Sequence, residues 1–314
     1  MVMQVAQTIT DDAFISAHQT SLDIMDLING QFLGRADAVR LAFVTLIADG
    51  HLLIEDLPGS GKTSLSAALS SALGLQFSRI QCTNDLLPAD VTGLSIFDRD
   101  TGQFTLKKGP VFTQILLADE LNRAPSKTQS ALLQAMEERA VTLDSDTHAL
   151  PAPFLVIATQ NPAEHIGTFD LPESQLDRFS VSMEIGRPDI EIQRQILAQP
   201  AAKGHDIEPV LTTESFLKLQ EIALRTHCDD RLLDYIISLA DRMEQVGQIS
   251  LSVRYREQLL RLAKAHALIS GRDFISPDDV QAMFAPSVRH RLHRMDVNAR
   301  QAAVDDTLGQ VALP

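Results

Sequence analysis

Over its first 188 residues the chain alternates short apolar runs with stretches of helical spacing. His51–Ile54, Gln76–Ile80, Ile115–Ala118, Phe154–Ala158 and Ser180–Ile185 are apolar or alternating and predict strands. Between them, Ala36–Asp49 carries Val39, Phe43, Val44, Leu46 and Ile47 at helical spacing, and Ser64–Leu73 and Ser126–Arg139 read the same way. Strands that alternate with helices predict an α/β fold, a mostly parallel sheet sandwiched by helices. After Arg187-Pro188 the pattern becomes helical throughout, over Asp189–Gln199, Thr213–Thr226, Asp230–Gln245 and Val253–Ser270, with Gly271 as a stop. Ser276-Pro277-Asp278-Asp279 opens one more helix, with Ser as N-cap, Pro in the first helical position and Asp three residues after the cap. The expected organisation is a loosely held leader over 1–20, an α/β domain over 21–188, an all-helical domain over 189–292 and a weakly patterned tail over 293–314.

Two hairpins interrupt the first domain. Leu94–Phe97 and Gln103–Leu106 flank Asp98-Arg99-Asp100-Thr101-Gly102, and Val141–Leu143 and Thr147–Leu150 flank Asp144-Ser145-Asp146. The residues alone allow either sheet-edge decoration or a working part.

Composition narrows the class. The 314 residues are 45% hydrophobic, enough for a sizeable core and about two domains. No apolar run is long enough for a membrane span, and the start MVMQVAQTITDD lacks the features of a secretory signal. Only Cys82 and Cys228 occur, too few for a disulfide framework or a metal cluster, so a cytoplasmic protein is expected. A net charge of −14, without a Lys/Arg run, argues against nucleic acid as the main partner. Trp is absent, so no base-stacking platform is advertised.

Five places then carry candidate chemistry. In Glu55-Asp56-Leu57-Pro58-Gly59-Ser60-Gly61-Lys62-Thr63-Ser64 a strand feeds a Gly-rich turn and then a helix, which points backbone N–H groups at one spot and favours an anion there. Gly59 and Gly61 allow close approach, Lys62 reaches the β- and γ-phosphates, and Thr63 holds Mg²⁺; Pro58, Ser60 and Ser64 complete the cradle. Asp56 stands where the usual pattern has glycine. Ile115–Ala118 ends in Asp119-Glu120, at the strand edge where parallel sheets bind ligands. There Asp119 suits Mg²⁺ and Glu120 suits activation of water; alone the pair also reads as two solvated carboxylates, and its place downstream of the loop favours the chemistry. Asn161, after Phe154–Gln160, both donates and accepts, and reads as a γ-phosphate sensor or a turn former. Arg178, before the last strand, reads as an arginine finger for a neighbouring subunit or as a salt bridge to Asp177 or Glu173. Arg254 lies in the first turn of a helix, where a cation opposes the helix dipole, and this points to a role outside the helix, reaching to the nucleotide.

In this order these elements resemble the AAA+ ATPases and, more narrowly, the MoxR family of the helix-2-insert group. Leu117–Pro125, Lys127–Glu138, Ala158–Pro162 and Leu171–Phe179 carry the resemblance, which runs from about Phe32 to Leu292. Arg289-His290-Arg291-Leu292 fits the family's ending. Leu251 and Val253 depart from the family's small residues and Pro near the second sensor. The resemblance implies that Phe32-Leu33-Gly34-Arg35 cups adenine, that Asn161 is the first sensor, Arg178 the finger and Arg254 the second sensor, and that the helical domain is a lid. It also implies ATP and Mg²⁺ as cofactors, a homo-oligomeric ring, usually a hexamer, and hairpins that face a pore or client. A partner with a von Willebrand factor A domain and a chaperone-like action on a protein client complete the expectation. Two other readings stand beside it: a nucleotide-switched scaffold with little turnover, and a DNA-acting motor.

Overall fold

The computed structural model describes residues 11–99, 102–143, 146–161, 168–169, 171–198 and 207–314. Calls on residues 1–10, Asp100, Thr101, Asp144, Ser145 and Pro162 lie outside them. In chain order the elements begin with α1 (Asp11–Gln31), α2 (Ala36–Ile47), β1 (Leu52–Glu55), α3 (Lys62–Ala72), β2 (Phe77–Gln81) and α4 (Pro88–Thr92). The hairpin β3 (Gly93–Asp98) and β4 (Gln103–Lys108) follows, then β5 (Ile115–Asp119) and α5 (Ser126–Glu138). A second hairpin, β6 (Ala140–Leu143) and β7 (Asp146–Ala149), precedes β8 (Leu155–Gln160), α6 (Glu173–Leu176) and β9 (Val181–Met183). The rest is helical: α7 (Ile190–Ala198), α8 (Thr213–Leu224), α9 (Asp230–Gly247), α10 (Val253–Ile269), α11 (Pro277–Val288) and α12 (Val297–Gln310).

Five strands form one parallel sheet in the order β2-β5-β8-β1-β9. Its central strands are buried on both faces, which is why they read as near-continuous apolar runs. Side chains alternate between the faces. Leu52, Ile54, Ile115, Leu117, Leu155 and Ile157 pack into a core shared with α1–α3 and the helical domain. Leu53, Leu116, Ala118, Val156 and Ala158 pack into the other, shared with α5. The register aligns the C-terminal ends, pairing Glu55 with Gln160 and Gln81 with Asp119. The first polar residues after the apolar runs therefore form one rim.

The expected leader and tail are corrected where the structure describes them. Residues 11–20 belong to α1, which buries Phe14, Ala17, Ile24 and Ile28 in the main core. The spacing of those four is helical, a signal that was present in the sequence. Residues 297–310 form α12, N-capped by Asp296, whose side chain accepts from the Ala299 N–H. It buries Ala303, Val304 and Thr307 and pairs Asp306 with Arg242 of α9 at 2.8 Å. Its buried face is made of small residues, so the hydrophobic pattern there is faint. The capping box that opens α11 forms as the sequence predicts, with Asp279 accepting from the Ser276 N–H at 2.7 Å.

Two buried histidines make stability depend on pH. Burial, with Arg139 nearby, lowers the His51 pKa to about 3. Burial, with Arg291 adjacent, lowers that of His290 well below its ordinary value. Both are neutral in the folded chain, whereas the unfolded chain protonates them below about pH 6.5. Stability is therefore lost as pH falls through that value. From pH 7.5 to 5.0 His51 alone is expected to cost about 2 kcal/mol, and His290 acts in the same direction. Urea midpoints at the two pH values check this: His51→Asn should show a visibly smaller drop than wild type, and an equal drop would contradict it.

Candidate functional site

The loop from Asp56 to Gly61 joins β1 to α3 at the C-terminal rim. Gly59 and Gly61 have φ of +82° and +98°, left-handed values that only glycine adopts at little cost. A Cβ on Gly61 would come within 2.8 Å of the Phe32 ring, whereas one on Gly59 would meet nothing within 4 Å. The loop is thus packed on one side and open on the other. No side chain caps α3, so its first N–H groups point outward unclaimed by a cap. The Ser60 hydroxyl is buried without a hydrogen-bond partner. This cradle of open glycine backbone, helix N-terminus and orphaned hydroxyl fits a phosphate group. Lys62 Nζ donates to the Asp56 carbonyl.

The geometry explains Asp56. Its Oδ2 accepts from the N–H groups of Ile185 and Gly186 at 3.0 and 2.9 Å, and its Oδ1 from the Leu57 N–H at 2.7 Å. The carboxylate staples the start of the loop to the segment after β9, and its charge is spent on backbone amides. Leu33 and Gly34 follow Phe32, whose ring touches the loop, and Gly34, at φ +73°, lies so close to Ile192 of α7 that a Cβ would sit 2.8 Å from it. The segment expected to line a base is thereby held between the loop and α7. The Arg35 guanidinium lies 4.9 Å from the Phe32 ring centroid; burial lowers its pKa and Asp56 opposes that shift.

Asp119 and Glu120 end β5 on the same rim. Asp119 Oδ1 accepts from Thr159 Oγ1 at 2.7 Å, and its Oδ2 pairs with Arg79 at 2.6 Å. Glu120 takes a left-handed backbone, φ 56° and ψ 49°, a strained state for a non-glycine residue. Two bonds fix it: the Glu120 N–H donates to Thr159 Oγ1 at 2.9 Å, and the Arg123 N–H donates to the Glu120 carbonyl at 2.8 Å. Glu120 Oε2 accepts from Gln81 at 3.0 Å and from Arg123 at 2.9 Å. Asn161, buried, follows β8 beside this pair. Sequence reasoning missed Arg79, Gln81, Arg123 and Thr159. Gln81 and Thr159 close the apolar runs of the two strands that flank β5, a signal that needs the strand order to be read.

Arg178 and Arg254 lie elsewhere. Arg178 donates to the Ser174 carbonyl at 2.7 Å and to Glu137 Oε2 at 2.8 Å. Arg254, in the first turn of α10, donates to Glu137 Oε1. Both line a cleft of ≈ 290 Å³ with Asp49, His51, Arg139 and Arg261. His51 precedes β1 and Ser180, also on the cleft wall, precedes β9, so the cleft opens at the N-terminal end of the sheet. The phosphate cradle is at the other end, past four residues of β1, about 13 Å at roughly 3.3 Å per residue. Within one protomer Arg254 does not reach the loop, contrary to the simplest form of the expectation. The helical domain ties itself to the segment on either side of Arg178: buried Arg291 donates to Asp177 Oδ1 at 3.1 Å and to the Phe179 carbonyl at 3.2 Å, and its guanidinium lies 4.8 Å from the Tyr255 ring centroid.

Comparison with known proteins decides the family. The model of the "ATPase family associated with various cellular activities (AAA)" matches residues 51–181, and that of the AAA lid domain matches residues 245–310. The chain is 37% identical to "Chaperone MoxR1" of Mycobacterium tuberculosis over 90% of this chain and 79% of that one. The chain belongs to the MoxR family of AAA+ ATPases. It is 43% identical to the protein YeaC of Bacillus subtilis over 84% of each chain. A crystal structure of a proposed ATPase from Cytophaga hutchinsonii superposes with a TM-score of 0.87 at 30% identity, covering 97% of this chain and 98% of that one. As a MoxR-family AAA+ ATPase the protein is an ATP hydrolase with an α/β core and a helical lid, and the lid match extends through α12.

Proposed function

We propose that this MoxR-family ATPase works as a ring in which each ATP site is shared between neighbouring protomers, and that turnover drives chaperone-like remodelling of a protein client. The separation of its functional groups carries the reading. Lys62, Thr63, Asp119, Glu120 and Asn161 gather at the C-terminal rim of the sheet, while Arg178 and Arg254 gather at the opposite end. No single protomer can bring both groups to one triphosphate, whereas a head-to-tail ring places the second group of one chain against the first group of the next. The arrangement supports a homo-oligomer with head-to-tail contacts, which we take to close into a ring, usually of six protomers in this family.

In this site the loop amides and Lys62 hold the β- and γ-phosphates, and Leu33 and Gly34 lie against the base. Thr63 and Asp119 are the oxygen donors that Mg²⁺ takes, together with phosphate oxygens and water. When bound, Mg²⁺ neutralises charge on the transferred phosphoryl group. Glu120 accepts the proton of the attacking water, and Asn161 orients that water. Arg178 and Arg254 of the neighbour stabilise the negative charge that develops. The β3–β4 hairpin exposes Phe97 and Phe104 at 51% and 70%, apolar surface suited to a client or a pore. "Chaperone MoxR1" is named for such an activity. No helix among the described residues is long and apolar enough to cross a membrane, and we place the protein in the cytoplasm with a von Willebrand factor A-domain partner.

Steady-state phosphate release tests the reading. Wild type should turn over ATP with Mg²⁺ and stop with EDTA, and Lys62→Ala should fall by at least about 100-fold. Stoichiometric ATP binding by wild type with no phosphate release would replace the motor by a nucleotide-switched scaffold.

A further inference from the structure

One carboxylate joins the two arginines. Glu137 lies near the end of α5, one turn from the second hairpin, and no step of the reaction above uses it. Its Oε2 accepts from Arg178, on the segment before β9, and its Oε1 from Arg254, on lid helix α10. Three elements from two domains therefore meet at a single side chain. Hydrogen bonding from Arg254, with Arg178 adding its charge, holds the Glu137 carboxyl below its ordinary range, so it is ionised at neutral pH. Two guanidinium groups brought this close repel each other, and an anion between them removes that cost. Each guanidinium carries five N–H donors, so engagement with Glu137 leaves donors for phosphate oxygens.

We infer that Glu137 is a positioning residue that holds Arg178 and Arg254 as one cationic pair, aligned for the triphosphate bound by the neighbouring protomer. The inference rests on the shared-site reading above. Arginines held in advance stabilise transition-state charge without reorganising at the moment of reaction. Glutamine at this position offers one acceptor and an N–H₂ donor, so one guanidinium would face a donor and the pair would splay. As a partly exposed ion pair, Glu137 contributes little to folding, and its loss should show in catalysis instead.

The test uses donor subunits made inert by Glu120→Gln, mixed in excess with wild-type subunits, so that turnover reports the arginines that donors present to wild-type sites. Donors carrying Glu137→Gln should lower turnover per wild-type site by about 10-fold, and Glu137→Asp donors should recover part of it. In homogeneous Glu137→Gln rings, affinity for ADP with aluminium fluoride should fall by about 10-fold, while that for a non-hydrolysable ATP analogue should change by less than about twofold. A merely structural role would weaken both nucleotides alike and would not be rescued by Asp, and that result overturns the inference. Donors carrying Arg178→Ala are the control. If they silence their neighbours and Glu137→Gln donors do not, Glu137 has no positioning role and the shared site stands. If Arg178→Ala donors leave their neighbours at full activity, the shared site fails and this inference fails with it.

Discussion

Glu120→Gln is expected to lower ATP turnover by at least about 100-fold while ATP binding stays within about threefold of wild type. The geometry gives the reason. Glu120 is held in a strained left-handed backbone by Thr159 and by the turn to Arg123, so its carboxylate position is fixed by the fold. Glutamine preserves the side chain's length and can still accept from Gln81 or Arg123, so the rim should stay assembled. What is lost is a group able to take a proton from water, and general-base catalysis is typically worth 10²–10⁴-fold. Binding should survive because the contacts assigned to the triphosphate come from the loop and Lys62, and those assigned to Mg²⁺ from Thr63 and Asp119, none of which is Glu120. Phosphate release and fluorescent-nucleotide titration on one preparation separate the two quantities. Turnover close to wild type would remove Glu120 from the role of base, and a collapse of binding would make it structural.

Much of this architecture was legible because the strands are short and the central ones, β5 and β8, are apolar and buried on both faces. Five runs predicted strands, and β1, β2, β5, β8 and β9 form there with shifted ends. The polar residues after Ile115–Ala118 and Phe154–Ala158 marked the rim, since a parallel sheet in register brings strand ends together. What could not be read depended on contacts between distant segments. Arg79 and Gln81 are ordinary polar residues of β2 until that strand is placed beside β5, where they meet Asp119 and Glu120. Asp56 departed from the phosphate-loop pattern, and only the fold shows that its carboxylate is occupied by the amides of Ile185 and Gly186. α12 escaped because its buried face is Ala303, Val304 and Thr307, too small to leave a strong period. Arg254 was recognised as a charge out of place at a helix start, but local sequence does not say which end of the sheet the lid covers.

That placement governs the expected effect of losing Arg178. Arg178→Ala subunits should bind ATP as wild type does, since their own loop, Asp119 and Glu120 are untouched, yet a homogeneous Arg178→Ala ring should turn over about 10³-fold more slowly. The size of the loss follows from the charge at stake: an arginine finger is typically worth 10³–10⁵-fold, and Arg254, still paired with Glu137, retains part of the cationic surface. The defect should also cross the interface. In rings mixed from Arg178→Ala and Glu120→Gln subunits, each nearly inactive alone, turnover should reappear wherever an Arg178→Ala site meets a neighbour that still presents Arg178, at roughly a quarter of the sites when the two are equal. A subunit combining Arg178→Ala with an intact site, placed beneath a Glu120→Gln partner that still presents Arg178, should turn over at nearly the wild-type rate. Mixed rings no more active than the two homogeneous ones would mean that each site is complete within its own chain. That result would require Arg178 to cross the depth of the sheet in its own protomer, against its bonds to Ser174 and Glu137 and against the Arg291 clamp on Asp177 and Phe179.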